Sequence, residues 1–513
     1  MEANPLSQSR ALAPDLGPNP GPAPAGLRSI VSLVLALFAG GLLRIWMLKK
    51  FFEVNGDSQI YGGLAKNLLL HGRYATGDGS GGALHSTLIR LPGYPLFLAA
   101  CFRIFGMENY FAASCVQIAL ELAGCLLLAD FARRISAAPR RSAAAHATLW
   151  LSVLCPFTAI YAVEPLTESL TLFTLALALW STAQFQDRPG WKTALAFTLA
   201  VTYAALLRPD GALVGIALAP SLVLGALQQG RGFSLYSKQA GSAGDLTAKR
   251  NSLVDTAKVS PMRDSLGLPR MALVCLLLAI TPFAAWTWRN WRVFHVLEPL
   301  APRYATDPGE NTDPGWQRWM KTWCLDFVST YDIYWNMPDG PLDLSKLPSG
   351  AFDSPQQYAE TAKLAADYQA GGQELTPDLD ARFAQIADQR IAAHPLRYYV
   401  ELPLGRMADM WLRPRVENLP IDLDWWVYAH HNAETRFSWF YAALNAFYLL
   451  LGIIGLCLRP RLWPWMLGYV VLRSLLLCTI EAPEARYTIE CFPMLFALGG
   501  VTLSRAFCKL RPV

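Results

Sequence analysis

Hydrophobic residues run along this chain in long blocks. Windows near the roughly 20 residues needed to cross about 30 Å of hydrocarbon fall at 28–48, 111–130, 143–163, 166–185, 191–207, 211–229, 271–291, 438–458, 463–480 and 488–507. Charged residues are absent from Ser29–Leu43 and Met271–Trp288 and crowded into Arg231–Arg270 and Pro299–Asn418. The pattern predicts an all-α polytopic membrane protein with about ten transmembrane helices. About seven spans form a first membrane module over 28–291, and about three form a second over 438–513. Between them lies a water-facing domain over 292–437. Inside that domain Thr376-Pro377 reads as an N-cap with proline in the first turn, opening a helix through Leu379, Phe383, Ile386 and Ile391 to His394-Pro395. Ser354-Pro355 opens a similar one through Tyr358 and Leu364. The domain is expected to be mainly helical and, being thin in apolar runs, to pack onto the membrane portion.

Basic residues sort the loops. Arg133, Arg134, Arg140 and Arg141 fill one short loop, and Arg188 with Lys192 the next on that side. Arg231–Arg270, Arg459 with Arg461, and Lys509 with Arg511 follow, whereas short loops of the opposite parity hold only Arg208 and Arg486. The positive-inside rule places both termini in the cytoplasm and the protein in the cell's cytoplasmic membrane. The first loop, 49–110, and the domain 292–437 then face outward, and 230–270 is a flexible cytoplasmic loop. Residues 1–27, dominated by Pro, Ala, Gly and Ser, read as a disordered cytoplasmic tail rather than a signal peptide.

Composition sharpens this picture. The chain is 53% hydrophobic and 16% charged, against roughly 25% charged in soluble domains, which excludes a soluble reading. The net charge of +5 comes from basic loops that topology explains, so no nucleic-acid partner is expected. The ten cysteines lie mostly in or beside apolar windows, and no Cys-x-x-Cys occurs, so they read as small buried hydrophobes.

Uncommon charges gather at the outward turns. Asp57 sits in Asn55-Gly-Asp-Ser-Gln-Ile-Tyr61, before a helix expected along the membrane surface from Ile60 to Leu70. The same loop carries His85 and Arg90-Leu-Pro-Gly-Tyr-Pro95. Glu164 and Glu168 flank Pro165 between two spans, Arg208-Pro209-Asp210 and Glu481-Ala-Pro-Glu-Ala-Arg-Tyr487 lie at two further outward turns, and Arg289 ends the seventh span. An exposed aspartate is commonly just solvated or an N-cap, and acids at span ends cost little. Their convergence on one face, however, suits an anionic lipid headgroup held by guanidinium forks beside a carboxylate that takes a proton.

These residues resemble the GT-C class of polytopic glycosyltransferases, in particular the branch like dolichyl-phosphate-mannose–protein mannosyltransferases that includes lipopolysaccharide-core sugar transferases. The resemblance rests on Gly56-Asp57 with Tyr61, Arg-Leu-Pro-Gly-Tyr-Pro at 90–95, Glu164-Pro165 with Glu168, and Leu207-Arg208-Pro209. It continues through Trp288-Arg289-Asn290-Trp291, His394-Pro395 before Arg406 and Trp411, and Arg486-Tyr487. It implies transfer of one sugar from a polyprenyl-phosphate donor to a lipid, glycan or protein acceptor on the outer face. Asp57 and Glu164 would be the catalytic carboxylates, and Arg90, Arg289 and Arg486 would bind donor phosphate. Tyr61, His85, Tyr94, Glu168 and Arg208 would line the substrate site. Because Ser58 follows Asp57 where many relatives carry a second acid, no metal and no other cofactor is expected. Arg-Leu-Pro-Gly also differs from the Lys-Pro-Pro form of aminoarabinose-transferring relatives, so that sugar is not carried over. A transporter or lipid-linked sugar flippase is the competing class; the outer domain and the lack of an inverted repeat favour an enzyme.

Overall fold

The computed structural model describes residues 26–77, 83–242, 267–337, 340–424, 426 and 432–509. The expected tail 1–27 and cytoplasmic loop 230–270 fall mostly outside them. In chain order, α1 (Leu27–Phe51) leads to α2 (Asp57–His71), a two-stranded antiparallel ribbon of β1 (Ala75–Thr76) and β2 (His85–Ser86), and α3 (Gly93–Phe105). Then come α4 (Tyr110–Ile135), α5 (Arg141–Val153), α6 (Pro156–Val163), α7 (Glu168–Asp187), α8 (Trp191–Leu207), α9 (Ala212–Ser242) and α10 (Gly267–Phe294). The middle segment adds α11 (Pro314–Lys321), α12 (Pro355–Ala370), α13 (Pro377–Ala393) and α14 (Leu402–Leu412). The chain closes with α15 (Asn432–Cys457), α16 (Trp463–Leu477) and α17 (Phe492–Lys509).

All ten apolar windows are helical, and the protein is an all-α polytopic membrane protein. Among the described residues, six stretches are long and apolar enough to cross a bilayer: Ser29–Phe51, Tyr110–Ile135, Pro209–Leu227, Gly267–Phe294, Asn432–Cys457 and Ala485–Ala506. A seventh is the pair Ala138–Val153 and Pro156–Val163, bent by 54°. Trp191–Leu207 and Trp463–Leu477 are apolar but short. α7 is long but mixed in composition, because it lies inside the bundle, packed against α4, α8 and α9. Its hydroxyls bond back to its own turns, as in Thr171 Oγ1 to the Thr167 carbonyl (2.9 Å) and Thr182 Oγ1 to that of Ala178 (2.7 Å). A helix surrounded by protein needs no lipid-matching face.

The bend between α5 and α6 exposes the Val153 carbonyl where helical hydrogen bonding stops. Arg44 of α1 supplies the missing donor, its Nη1 reaching Val153 O at 2.7 Å and Gly40 O at 2.9 Å. The rest of its guanidinium forks onto Glu121 of α4 at 2.5 and 2.6 Å. In hydrocarbon every such group must find an internal partner.

Two features differ from the sequence expectation. The loop 49–110 contains α3, an apolar helix of 13 residues, about 20 Å long and too short to cross. The middle segment has its own core, built from Trp316, Trp319, Trp323, Tyr368 and Phe383. These rings pack with aliphatic residues such as Leu364, Leu379 and Ile386, each contributed singly from a short helix, so the core leaves no long apolar run to read. The segment still rests on the membrane portion: Arg406 donates to the carbonyl of Ile480 (3.3 Å) and Thr330 to that of Pro483 (3.1 Å).

The loops separate into two sets. Arg134, Asp187 and Arg461 pair at one end of the bundle. The chain around Asp57, Glu164, Arg208 and Arg486 meets at the other.

Candidate active site

Local sequence aims each charged group. Gly56 adopts φ +46°, ψ −120°, a conformation open to glycine alone at little cost, and so turns the chain to start α2 at Asp57. A carboxylate in a first helical turn is favoured by the helix dipole. Arg90 precedes Pro92, which caps α3. A Cβ on the next residue, Gly93, would lie 2.5 Å from the Leu206 carbonyl oxygen, so glycine lets this turn press against the end of α8. Tyr203 Oη holds the Gly93 carbonyl there at 3.1 Å. The Leu-Pro-Gly motif thus brings Arg90 beside Arg208, which follows α8 in an extended conformation set by Pro209.

Asp57 sits between two arginines. Arg90 Nη2 donates to Oδ1 at 2.8 Å, and Arg486 Nη1 lies 3.6 Å from Oδ2. Burial alone would raise the Asp57 pKa, but Arg90 and Arg486 outweigh it and hold the carboxyl below the usual range. Behind them Arg208 faces three carboxylates, Glu168 and Asp210 at 3.3 Å and Glu490 at 3.4 Å. Arg473, fully buried in α16, neutralises two of these at 3.0 Å (Asp210) and 2.7 Å (Glu490). Arg208 also lies over the Tyr487 ring, 5.5 Å from its centroid. Tyr61 lines the same space, its hydroxyl pushed up to about 12 by burial and by Asp57.

This cluster borders a cavity of about 640 Å³ with Arg90, Arg208, Arg303 and Arg486 set against Asp57, Glu168 and Asp210. Four arginines meet three carboxylates on this wall, and three of the arginines also pair with carboxylates behind it, Arg208 with Glu490, Arg303 with Glu481 and Arg486 with Glu484. The other walls are apolar, including Leu213, Ile216 and Leu476. Ile216 belongs to the span Pro209–Leu227 and is 60% exposed, so the cavity reaches the lipid-facing surface between α9 and α16.

A second cavity, about 620 Å³, lies on the other side of Arg486 and Leu166, which line both. It holds Glu53, Glu164, Glu417 and Glu484 against Lys50 and Arg486. Glu164 accepts from Asn418 Nδ2 at 2.8 Å. Burial, with Glu168 nearby, pushes its carboxyl up to about 8. Glu484 pairs with Arg486 Nε at 2.5 Å, and the Tyr161 hydroxyl bonds Glu417 at 3.3 Å.

Of the residues expected at the site, Asp57, Tyr61, Arg90, Glu168, Arg208 and Arg486 share the first cavity, and Glu164 lies in the second. Arg289, Tyr94 and His85 line neither. Arg289 is tied to the carbonyls of Thr87 and Tyr74, both at 2.8 Å, and stacks among Tyr74, Trp286 and Phe294. It anchors the first loop to α10. Tyr94 is buried with its hydroxyl on Gln117 at 2.5 Å. His85 is exposed on β2. Residues not singled out from sequence are Arg473 and Glu490, charges inside apolar windows, and Glu417 and Asn418. A buried charge in an apolar window is itself a signal. Among the described residues, no group of three or more His, Cys, Asp or Glu side chains is arranged to hold a metal ion.

The fold and its charged cavities define a polytopic membrane protein with a polar site beside the lipid. Residues 90–233 match the family described as dolichyl-phosphate-mannose-protein mannosyltransferase, a stretch that contains Arg90, Glu164, Glu168 and Arg208 but neither Asp57 nor Arg486. Among solved structures, the chain resembles ArnT from Cupriavidus metallidurans bound to undecaprenyl phosphate. That likeness is loose: 13% identity over 92% of this chain and 77% of that one, with a TM-score of 0.34. The lipid is that protein's ligand, and nothing is transferred from it here. No curated protein gives a significant sequence match.

Proposed function

We propose that this protein is a membrane glycosyltransferase. It takes a sugar from a polyprenyl-phosphate donor and gives it to an acceptor hydroxyl on the outer face of the cytoplasmic membrane, with both termini in the cytoplasm. The observation that carries this reading is the meeting of two unlike cavities at Arg486, which sits beside Asp57. One is lined by arginines and reaches lipid, as a prenyl chain with a phosphate head requires. The other is carboxylate-rich and opens beside the middle segment.

The arginines suggest how the reaction runs. Without donor, Arg90 and Arg486 neutralise Asp57 and leave it a weak base. A donor phosphate competes for both guanidinium groups, and as it takes them Asp57 loses its counter-ions and gains proton affinity. The acceptor oxygen then attacks the anomeric carbon while its proton passes to Asp57. The bond from that carbon to the phosphate oxygen breaks, and its electron pair leaves on the phosphate, stabilised by Arg90, Arg208 and Arg486. A divalent cation at Asp57 would have to displace two guanidinium groups, which supports a reaction carried by arginine.

The test is mass spectrometry of envelope glycans, glycolipids and glycoproteins from cells with and without the protein. One sugar missing from one acceptor is expected. An unchanged set of products, with lipid-linked sugar stranded on one side of the membrane, would replace the transferase with a transporter.

A further inference from the structure

The second cavity has the wrong charge for a phosphorylated acceptor. Four carboxyl groups face two basic ones. Lys50 is exposed at the end of α1, and Arg486 is already shared among Asp57, Glu168 and Glu484. An incoming phosphate would gain little, because the carboxyl groups of Glu164 and Glu417 offer it no counter-charge. A hydroxyl-rich ligand meets the opposite situation, because carboxylate oxygens accept hydroxyl protons well. Glu417 lines the cavity, and its Oε2 is buried with no hydrogen-bond partner among the described residues. A buried acceptor left unsatisfied costs about 1–3 kcal/mol and is relieved when a donor arrives.

Part of the wall is aromatic. Phe327, Tyr331 and Trp335 come from one short helical stretch of the middle segment and line the cavity. Trp335 packs edge-on against Phe327 (5.4 Å between centroids) and Tyr331 (5.7 Å). Tyr331 and Trp335 nevertheless remain 52% and 46% exposed. Large rings held rigid by one another, yet open to a polar cavity, present flat apolar faces at low entropic cost. Carboxyl groups and aromatic faces lining one cavity match a sugar ring, which carries hydroxyls around its edge and C–H bonds on its faces. Phosphate has no apolar face, and an extended peptide offers few hydroxyls.

We infer that the second cavity binds an uncharged sugar residue of a glycan, with Trp335 and Tyr331 as the stacking surface and Glu417 and Glu164 accepting from its hydroxyls, so that the acceptor is an unphosphorylated glycan. This rests on the transferase reading above, and the test separates the two. Mass spectrometry first locates the sugar missing from cells that lack the protein. It is expected on a hydroxyl of an unphosphorylated sugar. A sugar on a phosphate group, or on a Ser or Thr side chain, overturns this inference and leaves the transferase standing. No missing sugar overturns both.

The acceptor glycan isolated from the deficient cells then serves as the probe for transfer by membranes carrying each variant. Trp335→Ala is expected to raise the acceptor KM at least tenfold with donor KM unchanged, and Trp335→Phe to recover most of the loss. An acceptor KM unchanged in Trp335→Ala, with protein present at wild-type level, would remove the aromatic wall from recognition.

Discussion

Two sets of arginine–carboxylate pairs lie within the helical bundle, and they are built on different plans. Arg44 and Glu121 form a closed pair: both carboxylate oxygens are taken by one fork, and the remaining guanidinium nitrogen serves two backbone carbonyls. No large cavity touches them. The cluster of Arg90, Arg208 and Arg486 with Asp57 and Glu168 is open, with longer contacts of 3.3–4.0 Å alongside the 2.8 Å bond and all three arginines lining a cavity. Buried charge therefore does not by itself mark a site. What marks it is bonding capacity left over and pointed at empty space.

Each arm of that contrast can be broken separately. The largest effect is expected at the open cluster: Asp57→Asn should cut sugar transfer by about 10²–10⁴-fold, the range for losing a positioned base, while the protein still elutes as a single folded species. Transfer at wild-type rate would remove Asp57 from the chemistry. At the closed pair the loss should be of folding rather than of catalysis. Arg44→Met strands Glu121 and should cost about 3–5 kcal/mol of stability, whereas adding Glu121→Leu should restore most of it. Thermal unfolding in detergent measures both, and a double variant no better than the single one would mean that the pair does more than satisfy itself.

Smaller changes sharpen the picture. Arg90→Ala should raise donor KM roughly 10–100-fold, as expected from about 1.5–3 kcal/mol for a hydrogen bond to a charged group; an unchanged donor KM would detach Arg90 from the phosphate. The last change is read as a slope: burial pushes the Glu164 carboxyl from the ordinary 4.5 up to about 8 in the folded chain. Between those values the native state holds a proton that the unfolded state has lost, so stability should fall as pH rises through that window. Glu164→Gln should flatten this slope, and parallel melting curves for the two proteins would assign the slope to another group.

What the sequence revealed follows from how local each signal is. The apolar windows and the caps at Ser354 and Thr376 depend on neighbours a few residues away, and they read correctly, whereas α2 was expected from Ile60 and begins earlier, at Asp57. The grouping of Asp57, Arg90, Arg208 and Arg486 was approachable because all lie at turns on one side of the bundle. Side-chain direction was not. Arg289 sits in the same motif-bearing neighbourhood yet reaches back to the Tyr74 and Thr87 carbonyls, and Tyr94 turns inward to Gln117. Arg473 and Glu490 escaped notice because the apolar windows around them dominate the local average. α3 was missed for a related reason, as 13 apolar residues fall below the length that a spanning window seeks.

Arg486 and Leu166 form a wall common to both cavities, and this has a consequence for turnover. Because each side has its own entrance, neither substrate must leave before the other arrives. On the proposed reading catalysis passes through a ternary complex: double-reciprocal rate plots cross rather than run parallel, and no sugar is parked on the enzyme between the two halves of the reaction.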